Sequence, residues 1–369
     1  MADVLAGPSP GLWYVKTGSK VGVVVGEDWE LRVRPRLDVR HLMFLLGYAR
    51  DPNGWKRLQA HFKPDDELFA AIASGFSWHA TWAMDEGLLR GYVRREERRN
   101  DVRGRLLFAQ QIARGGGLPL PAYVTYDDFT EDILENRMLR TTTQLLLRLP
   151  RVPPDARKRL LRIRSALDWV EPMTNWRGVK APPITRLNQR YASALALAEL
   201  VLSGSSLTES IGDVASTTFV FDMNKVFEDF VTTAFRQAMR RWGGEVRDQV
   251  KPYTLDEGGY LPLKPDLSWW LGGACGAVID AKYKAIEEGV MTHPDAYQML
   301  AYCLAYKLPR GYLVYARDSG QDSRVHRIRN VDCEIDVRAI DVEQQPADVL
   351  AQVEALAADI AHDVLVEAA

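Results

Sequence analysis

Two short stretches in the C-terminal half of the chain decide the fold: residues 261–270, LPLKPDLSWW, and residues 276–282, GAVIDAK. Each is apolar enough for a buried strand, and Gly272-Gly273 between them predicts a turn. Because side chains alternate along a strand, Asp280 and Lys282 share one face while Ala281 points into the core. Asp266 begins the first strand, so two carboxylates and one ammonium are expected to meet at one edge of a sheet.

Two helices are expected to bring further polar groups to this edge. Residues 224–231, NKVFEDFV, have helical apolar spacing, which leaves Glu228 free to approach the carboxylates. Residues 297–302 begin another helix, with Gln298 and Tyr302 four positions apart on one face. The elements from residue 211 onward therefore read as one αβββαβ module.

Carboxylates are hard oxygen ligands of divalent cations, and a lysine beside them can stabilise negative charge that develops on a phosphate. The set is therefore typical of metal-dependent phosphodiester hydrolysis. For each residue a purely structural role also stays open. The two aspartates also suit strand-end acids that cap a turn, and Lys282 suits an edge lysine whose stem lies along the sheet. Glu228 also suits an exposed helix acid, and Gln298 and Tyr302 suit ordinary helix packing. A lone Asp-x-Lys occurs often by chance, and only its context favours chemistry.

A chain of 369 residues exceeds one ordinary core and predicts two or three domains. The fold class is mixed, α+β with α/β. We expect a β-rich domain over residues 1–150, opening with a hairpin of residues 20–25 and 30–36. Helices at 132–149, 155–169 and 188–202 follow, the last two in a connecting region over 151–210. The αβββαβ domain then spans residues 211–369.

The net charge of −2 hides two basic segments. Residues 90–114 hold eight arginines against three acids, and residues 148–164 hold seven basic residues against Asp155 alone. Both segments could face phosphates, and both could be solvated surfaces. Residues 91–108 predict a long charged hairpin with its tip at residues 98–101, projecting from the body.

The residues quoted above, together with FDMNKVFEDFV, AVIDAKYK, DAYQMLAY and the N-terminal VGVVVGEDWELRVRPRLDVRHLMFLLGYA, closely resemble the McrC family. McrC is the nuclease subunit of the McrBC modification-dependent restriction systems. The resemblance covers most of residues 12–316. It implies the PD-(D/E)xK (restriction-endonuclease-like) fold and Mg²⁺-dependent double-strand cleavage, with Mn²⁺ as a substitute.

The resemblance also implies roles for individual residues. Metal ligands would be Asp266, Asp280 and the Ala281 carbonyl, with Glu228 completing the site, and Lys282 would position the attacking water. Gln298 and Tyr302 match a Q-x-x-x-Y signature that contacts the site or the DNA backbone. Lys284 would contact a phosphate.

Partners follow from the same resemblance. The substrate would be double-stranded DNA carrying methylcytosine, cut by two copies acting together, and a separate McrB-like AAA+ GTPase hexamer would translocate it. A projecting hairpin enters the motor in this family, which suggests contacts from Arg94, Arg95, Arg98, Arg99 and Arg103. Two alternatives stay open. One is a catalytically silent DNA-binding subunit that only activates the motor, and the other is a stand-alone repair nuclease.

Composition limits the remaining classes. Apolar residues make up 47% of the chain and no run of about 18 of them is uninterrupted, so no membrane span or signal peptide is expected and the protein is expected in the cytoplasm. The three cysteines are odd in number and widely separated, which favours reduced core residues over a disulfide framework or a zinc site.

Overall fold

A computed structural model describes residues 2–6, 13–25, 30–52, 55–56, 67–114, 120–149, 151–176, 178–207, 217–283, 291–317 and 323–367. The chain forms two compact units, one of Met1–Ala71 with Leu207–Ala369 and the other of Ile72–Ser206. This division differs from the consecutive segments 1–150, 151–210 and 211–369 expected from the sequence. N-terminal strands pair with a strand that lies beyond residue 216, and such non-local pairing leaves no local signal in the sequence.

The first unit begins with β1 (Ala2–Ala6), β2 (Trp13–Thr17), β3 (Lys20–Val25), β4 (Glu30–Val33) and α1 (Val39–Arg50). The second contains most of α2 (Leu68–Met84), then β5 (Gly91–Arg99), β6 (Arg105–Leu106), α3 (Phe108–Arg114), β7 (Ala122–Thr130), α4 (Leu134–Leu147), α5 (Pro154–Ala166) and α6 (Ala192–Gly204). The chain continues through β8 (Ser205–Leu207), β9 (Thr217–Asp222), α7 (Met223–Met239), β10 (Glu245–Asp248), β11 (Leu267–Leu271), β12 (Ala274–Lys282), α8 (His293–Tyr306), β13 (Arg310–Arg317), β14 (Arg324–Arg327), β15 (Glu334–Asp341) and α9 (Pro346–Glu367).

The largest sheet has six strands in the order β10-β11-β12-β13-β15-β14. Its two central pairs, β12 with β13 and β13 with β15, are parallel, whereas the outer pairs are antiparallel. From α7 to β13 the elements follow the predicted αβββαβ order, and β14, β15 and α9 extend it. The glycine turn between β11 and β12 is also found, since Gly272 and Gly273 have φ angles of 56° and 89°.

Helices cover both faces of this sheet. Met299, Tyr302 and Cys303 of α8 pack with Leu313 and Tyr315 of β13 in one apolar cluster. Tyr312 points to the opposite face, where its hydroxyl donates to Asp363 of α9 at 3.2 Å. Sheets buried on both faces need apolar residues at consecutive positions, which explains why β11 reads LSWWL without alternation.

The N-terminal strands belong to a second sheet of the same unit, in the order β4-β3-β9-β8. The predicted hairpin is confirmed, since β3 pairs antiparallel with β4. On its other side β3 pairs with β9 from Lys20 opposite Asp222 to Val25 opposite Thr217. The chain passes from β9 directly into α7, whose first turn is capped by the Asp222 carboxylate accepting from the Asn224 N–H at 3.0 Å.

In the second unit the predicted hairpin of residues 91–108 is wrong. β5 pairs along its whole length with β7, from Gly91 opposite Thr130 to Arg99 opposite Ala122, and two-residue β6 lies on the other side of β7. The polar stretch after Arg99 does turn the chain, but the partner of β5 comes after α3. The helices predicted near 132–149, 155–169 and 188–202 are present as α4, α5 and α6.

Within the described ranges, no helix combines the length and the apolar character that a membrane crossing requires. Cys275, Cys303 and Cys333 are all free thiols, and the last two are buried, as expected for core cysteines.

The close fit between α8 and β13 is sensitive to one methyl group. A Cβ on Gly311 would lie 2.4 Å from the Met299 sulfur and 2.6 Å from the Cys303 sulfur. We expect Gly311→Ala to destabilise the first unit by about 1–3 kcal/mol, because extra volume in a packed core displaces its neighbours. Urea denaturation followed by tryptophan fluorescence measures the change. The matched control is Gly18→Ala, where nothing lies within 4 Å. Equal denaturation midpoints for the two variants would contradict the packing argument.

Candidate active site

The end of the β11–β12 ladder brings the two predicted carboxylates together. Leu267 pairs with Ile279, so the preceding Asp266 lies beside Asp280. One oxygen of Asp266 accepts a hydrogen bond from the Ala281 N–H at 2.9 Å. A buried backbone donor therefore fixes the first carboxylate against the strand that carries the second.

Asp280 and Lys282 share a face of β12, as strand alternation predicts. Asp280 is only 1% exposed, and its Oδ2 lies 2.5 Å from the Lys282 Nζ, which is 22% exposed. Neither Asp280 oxygen has a hydrogen bond of good geometry among the described residues. The ammonium is thus the partner of a carboxylate that retains free acceptor capacity, which is costly in a buried group.

Burial and like charge act together on the acids. The pKa of Asp266 is raised to about 8 by burial, by the Asp280 carboxylate and by Glu228, against the opposing effects of the Ala281 N–H and Lys282. Burial likewise raises the pKa of Asp280, although Lys282 opposes the shift. The pKa of Lys282 is raised, because the charges of Asp280 and Asp266 outweigh a burial effect that alone would lower it. Without a bound cation, the pair of acids therefore holds a proton at neutral pH.

Glu228 on α7 lies near enough to act on Asp266 electrostatically. Its Oε1 accepts from the Gln249 side chain and, at 3.3 Å, from Lys225. The neighbouring Asn224 accepts from the Tyr283 N–H at 3.2 Å, which ties the start of α7 to the end of β12. The helix acid predicted to approach the site is therefore beside it, and its carboxylate is oriented by a neutral and a cationic donor.

Gln298 and Tyr302 meet on α8, but they brace the site rather than line it. The Gln298 amide donates to the Tyr302 hydroxyl at 2.8 Å, and that hydroxyl donates to the Lys264 carbonyl at 2.9 Å. Tyr302 is buried, and its pKa is raised first by burial and then by the Asp280 charge. The pair thus anchors the backbone two residues before Asp266.

Two residues of this site were missed by sequence reasoning. Gln249 donates its backbone N–H to the Asp266 carbonyl at 3.2 Å while its side chain reaches Glu228, and its φ of 49° is unusual for a non-glycine residue. Its position in an irregular segment after β10 carries no motif that could have revealed it.

Asp295 is the other. It is buried, accepts from Tyr315 at 2.6 Å and from Thr292 at 2.8 Å, and its charge acts on Asp280 and Lys282. The helix begins at His293 with Thr292 as its N-cap, which places Asp295 in the first turn of α8. An acid in the first turn of a helix is common, so no local pattern marked this one as buried.

The oxygen atoms at this site provide part of what a divalent cation needs. In the described part of the chain no three acidic, histidine or cysteine side chains form a closed ligand group. Both oxygens of Asp280, however, lack a hydrogen-bond partner among the described residues, and the Asp266 carboxylate, which accepts from the Ala281 N–H, lies beside them. Burial raises the pKa of both acids. Two carboxylates, one carbonyl and water are ligands that Mg²⁺ prefers.

The remaining predicted residues lie elsewhere. Lys284 falls outside the described residues. The five arginines belong to the second unit, and four of them pair with acids there, Arg94 with Glu96 at 3.9 Å. Arg95 contacts Asp128 at 3.1 Å, Arg99 contacts Asp101 at 2.9 Å, and Arg103 contacts Asp128 at 3.5 Å. Arg94 donates to the Thr125 hydroxyl at 3.0 Å, and Arg98 lies over the Tyr123 ring.

Comparison with solved structures gives one strong likeness in fold. A chain from a refined half-complex of the tetradecameric assembly of Thermococcus gammatolerans McrB AAA+ hexamers with bound McrC has a TM-score of 0.58 at 19% identity, covering 97% of this chain and 85% of that one. A chain from a cryo-EM structure of the McrBC complex of the same organism has a TM-score of 0.36 at 23% identity, covering 63% and 69%. No curated protein matches this chain.

Sequence comparison settles the family. The model of the McrBC family, described as a 5-methylcytosine restriction system component, matches residues 15–316, which is most of the chain. The resemblance stated from the motifs is thereby confirmed. This chain belongs to the McrBC family of 5-methylcytosine restriction system components.

Proposed function

We propose that this chain is the nuclease subunit of its restriction system, a Mg²⁺-dependent endonuclease that hydrolyses DNA phosphodiesters at Asp266, Asp280 and Lys282. One observation carries the proposal: the half-buried Asp266 carboxylate, the buried Asp280 carboxylate and the Lys282 ammonium are held together at the end of β11 and β12, and the pKa values of both acids are raised. A pair of ionisable groups with perturbed pKa values is typical of a functional site. A divalent cation bound there would stabilise both acids in their ionised form.

The chemistry follows from the placement of the side chains. Asp266, Asp280 and the Ala281 carbonyl would hold the ion, with Glu228 oriented by Gln249 to bind it directly or through water. A bound Mg²⁺, or Mn²⁺ in its place, polarises the phosphate and lowers the pKa of a bound water. Lys282 stays protonated at neutral pH and places its charge where the phosphate becomes more negative.

The substrate and partner come from the family. The substrate is double-stranded DNA containing 5-methylcytosine, and the partner is an McrB-type AAA+ GTPase. A single site cuts one strand, so two copies act together for a double-strand break. The PD-(D/E)xK fold assigned from the motifs is part of the same proposal, and the order of strands around the site supports it.

The nuclease assignment predicts loss of cleavage in two variants. Asp280→Ala should abolish cutting of methylated plasmid in Mg²⁺ and GTP with the McrB-type GTPase, and Lys282→Gln should slow it by about 10²–10³-fold, the typical effect of removing one charge-stabilising group. The readout is the rate of linearisation on gels. Glu354→Gln, an exposed acid on α9 of the same unit, is the matched control and should cut normally.

The regulatory alternative makes the opposite prediction. If the unmodified chain leaves all plasmids intact while Asp280→Ala still stimulates GTP hydrolysis fully, the chain activates the motor without cutting, and the nuclease proposal is wrong.

The raised pKa of Asp266 predicts a pH-dependent penalty in the metal-free chain. The folded chain keeps a proton up to about pH 8 that the unfolded chain loses near pH 4. The free energy of unfolding from this group therefore falls as pH rises between these values and is level above them. Asp266→Asn removes the penalty, so its melting temperature should exceed that of the unmodified chain by a margin that grows from pH 5 to pH 8, measured by calorimetry in chelator.

The proton on Asp266 should also make metal binding depend on pH. Because Mg²⁺ and the Asp266 proton compete, the affinity for Mg²⁺ should rise by about tenfold per pH unit and level off near pH 8. Isothermal titration measures it without any cleavage. Asp266→Asn should lose most of the affinity, whereas Glu354→Gln should match the unmodified chain. An affinity independent of pH would show that these carboxylates do not hold the ion.

The surroundings of the five predicted arginines indicate which of them could contact the partner GTPase. Arg95, Arg99 and Arg103 lie within 3.5 Å of acids. The side chains of Arg94 and Arg98 are exposed, and among the described residues their one contact with an acid is that of Arg94 with Glu96 at 3.9 Å. We expect Arg94→Ala with Arg98→Ala to lower stimulation of the partner GTPase and to make it less sensitive to salt, since rim charges act on association. The control is Arg105→Ala on β6. Unchanged stimulation would exclude this face of β5 from the contact.

A further inference from the structure

The two basic segments of the sequence differ in how their charges are used. In the β5–β7 sheet most arginines meet an acid within 4 Å, including Arg95, Arg99 and Arg103. On α5 no such pairing occurs within the described residues for Arg157, Lys158, Arg162 and Arg164, and all four side chains are exposed. We call these four the α5 basic face. The two segments have similar compositions, but acids neutralise most of the arginines in the β5–β7 sheet, whereas the α5 basic face keeps its positive charge.

Helix geometry explains why these residues share a side. Ala156, Leu160, Ile163 and Leu167 are buried and hold α5 against its own unit. Residues one or two positions away from that stripe turn away from it at about 100° per residue. Lys158 and Arg162 therefore lie opposite the stripe and Arg157 and Arg164 on one flank, over about 10 Å of helix. The flanking acids do not cancel them. Asp155 lies in the first turn, and Asp168 follows the helix and contacts Arg140 at 3.9 Å.

We propose that the α5 basic face binds the phosphate backbone of double-stranded DNA. The proposal rests on the proposed function, which makes DNA the substrate, and it adds a binding surface on the unit that does not carry the carboxylates. Each strand of duplex DNA has about one phosphate per 3.4 Å of the axis, so 10 Å of helix spans about three phosphates of one strand.

The contact is expected to be independent of sequence. Long basic side chains on one helix face reach phosphate oxygens without reading bases, and phosphate contacts position a protein on the duplex. Recognition of the modified base is therefore not assigned to α5. The single apolar side chain here, Leu161 at 40% exposure, is too small a patch for a protein interface.

The test compares two triple variants of the full chain. Lys158→Gln, Arg162→Gln and Arg164→Gln remove three charges from the α5 basic face, and glutamine keeps the helix because its propensity is close to that of lysine and arginine. The control, Arg105→Gln, Lys180→Gln and Arg186→Gln, removes three exposed charges from separate segments of the same unit. Both are made in the Asp280→Ala background without Mg²⁺, so binding is measured apart from cleavage. Circular dichroism checks that they fold.

Fluorescence anisotropy with a 30-base-pair duplex at several salt concentrations gives the result. We expect the α5 variant to lose about tenfold or more in affinity at low salt and to lower the slope of log K against log salt by about 3, with the control near the parent. Equal losses in both variants would reduce the effect to net charge and overturn the proposal. So would unchanged affinity, absence of DNA binding by the parent, or a loss seen only with RNA or with an acidic protein.

The outcome is separable from that of the nuclease proposal. Normal cleavage by the unmodified chain, together with unchanged DNA affinity in the α5 variant, refutes the surface and leaves the active site intact. No cleavage by the unmodified chain, together with α5-dependent binding, refutes the nuclease and leaves a DNA-binding chain.

Discussion

The close approach of a half-buried carboxylate, Asp266, to a buried one, Asp280, at the end of the β11–β12 ladder is the constraint on which the site depends. Ionised acids in a low-dielectric surrounding repel each other and lose hydration. Here the Ala281 N–H holds Asp266, and Lys282 holds Asp280. The fold tolerates the remaining repulsion because β11 and β12 are buried on both faces by helices and cannot spread apart. Rigid strands therefore carry a chemically unfavourable arrangement that a cation would relieve.

Most of the surrounding polar network serves to hold that arrangement in place. Gln249 connects the Asp266 backbone to Glu228, and Tyr302 with Gln298 anchors Lys264 just before Asp266. Each contact comes from a different element, so the position of the first carboxylate is determined from several sides. Side chains locked by such supporting hydrogen bonds are what a precise metal or phosphate site requires.

The charged side chains of the second unit are arranged differently on β5 and on α5. Arg95 on β5 reaches Asp128 of the neighbouring strand, and Arg94 and Arg99 reach acids two positions away in their own segment, so acids lie close to these arginines. Arg159 of α5 donates to the Ser77 hydroxyl at 3.1 Å, whereas Arg157, Lys158, Arg162 and Arg164 turn away from the apolar stripe and are exposed. Nucleic-acid binding is thereby favoured on the surface whose charge is left over. The net charge of −2 gave no indication of this, since only position distinguishes a neutralised arginine from a free one.

The sequence by itself determined the local features: the β11–β12 turn through its glycine pair, the shared face of Asp280 and Lys282 through strand alternation, and the helices through apolar spacing. These features depend on residues that are close together in the chain, so the sequence is sufficient to predict them. Only the tertiary structure decided that β3 pairs with β9, that β5 pairs with β7, and that Gln249 and Asp295 belong to the site. Those contacts join residues far apart in the chain, and without the fold no local pattern selects one distant partner over another.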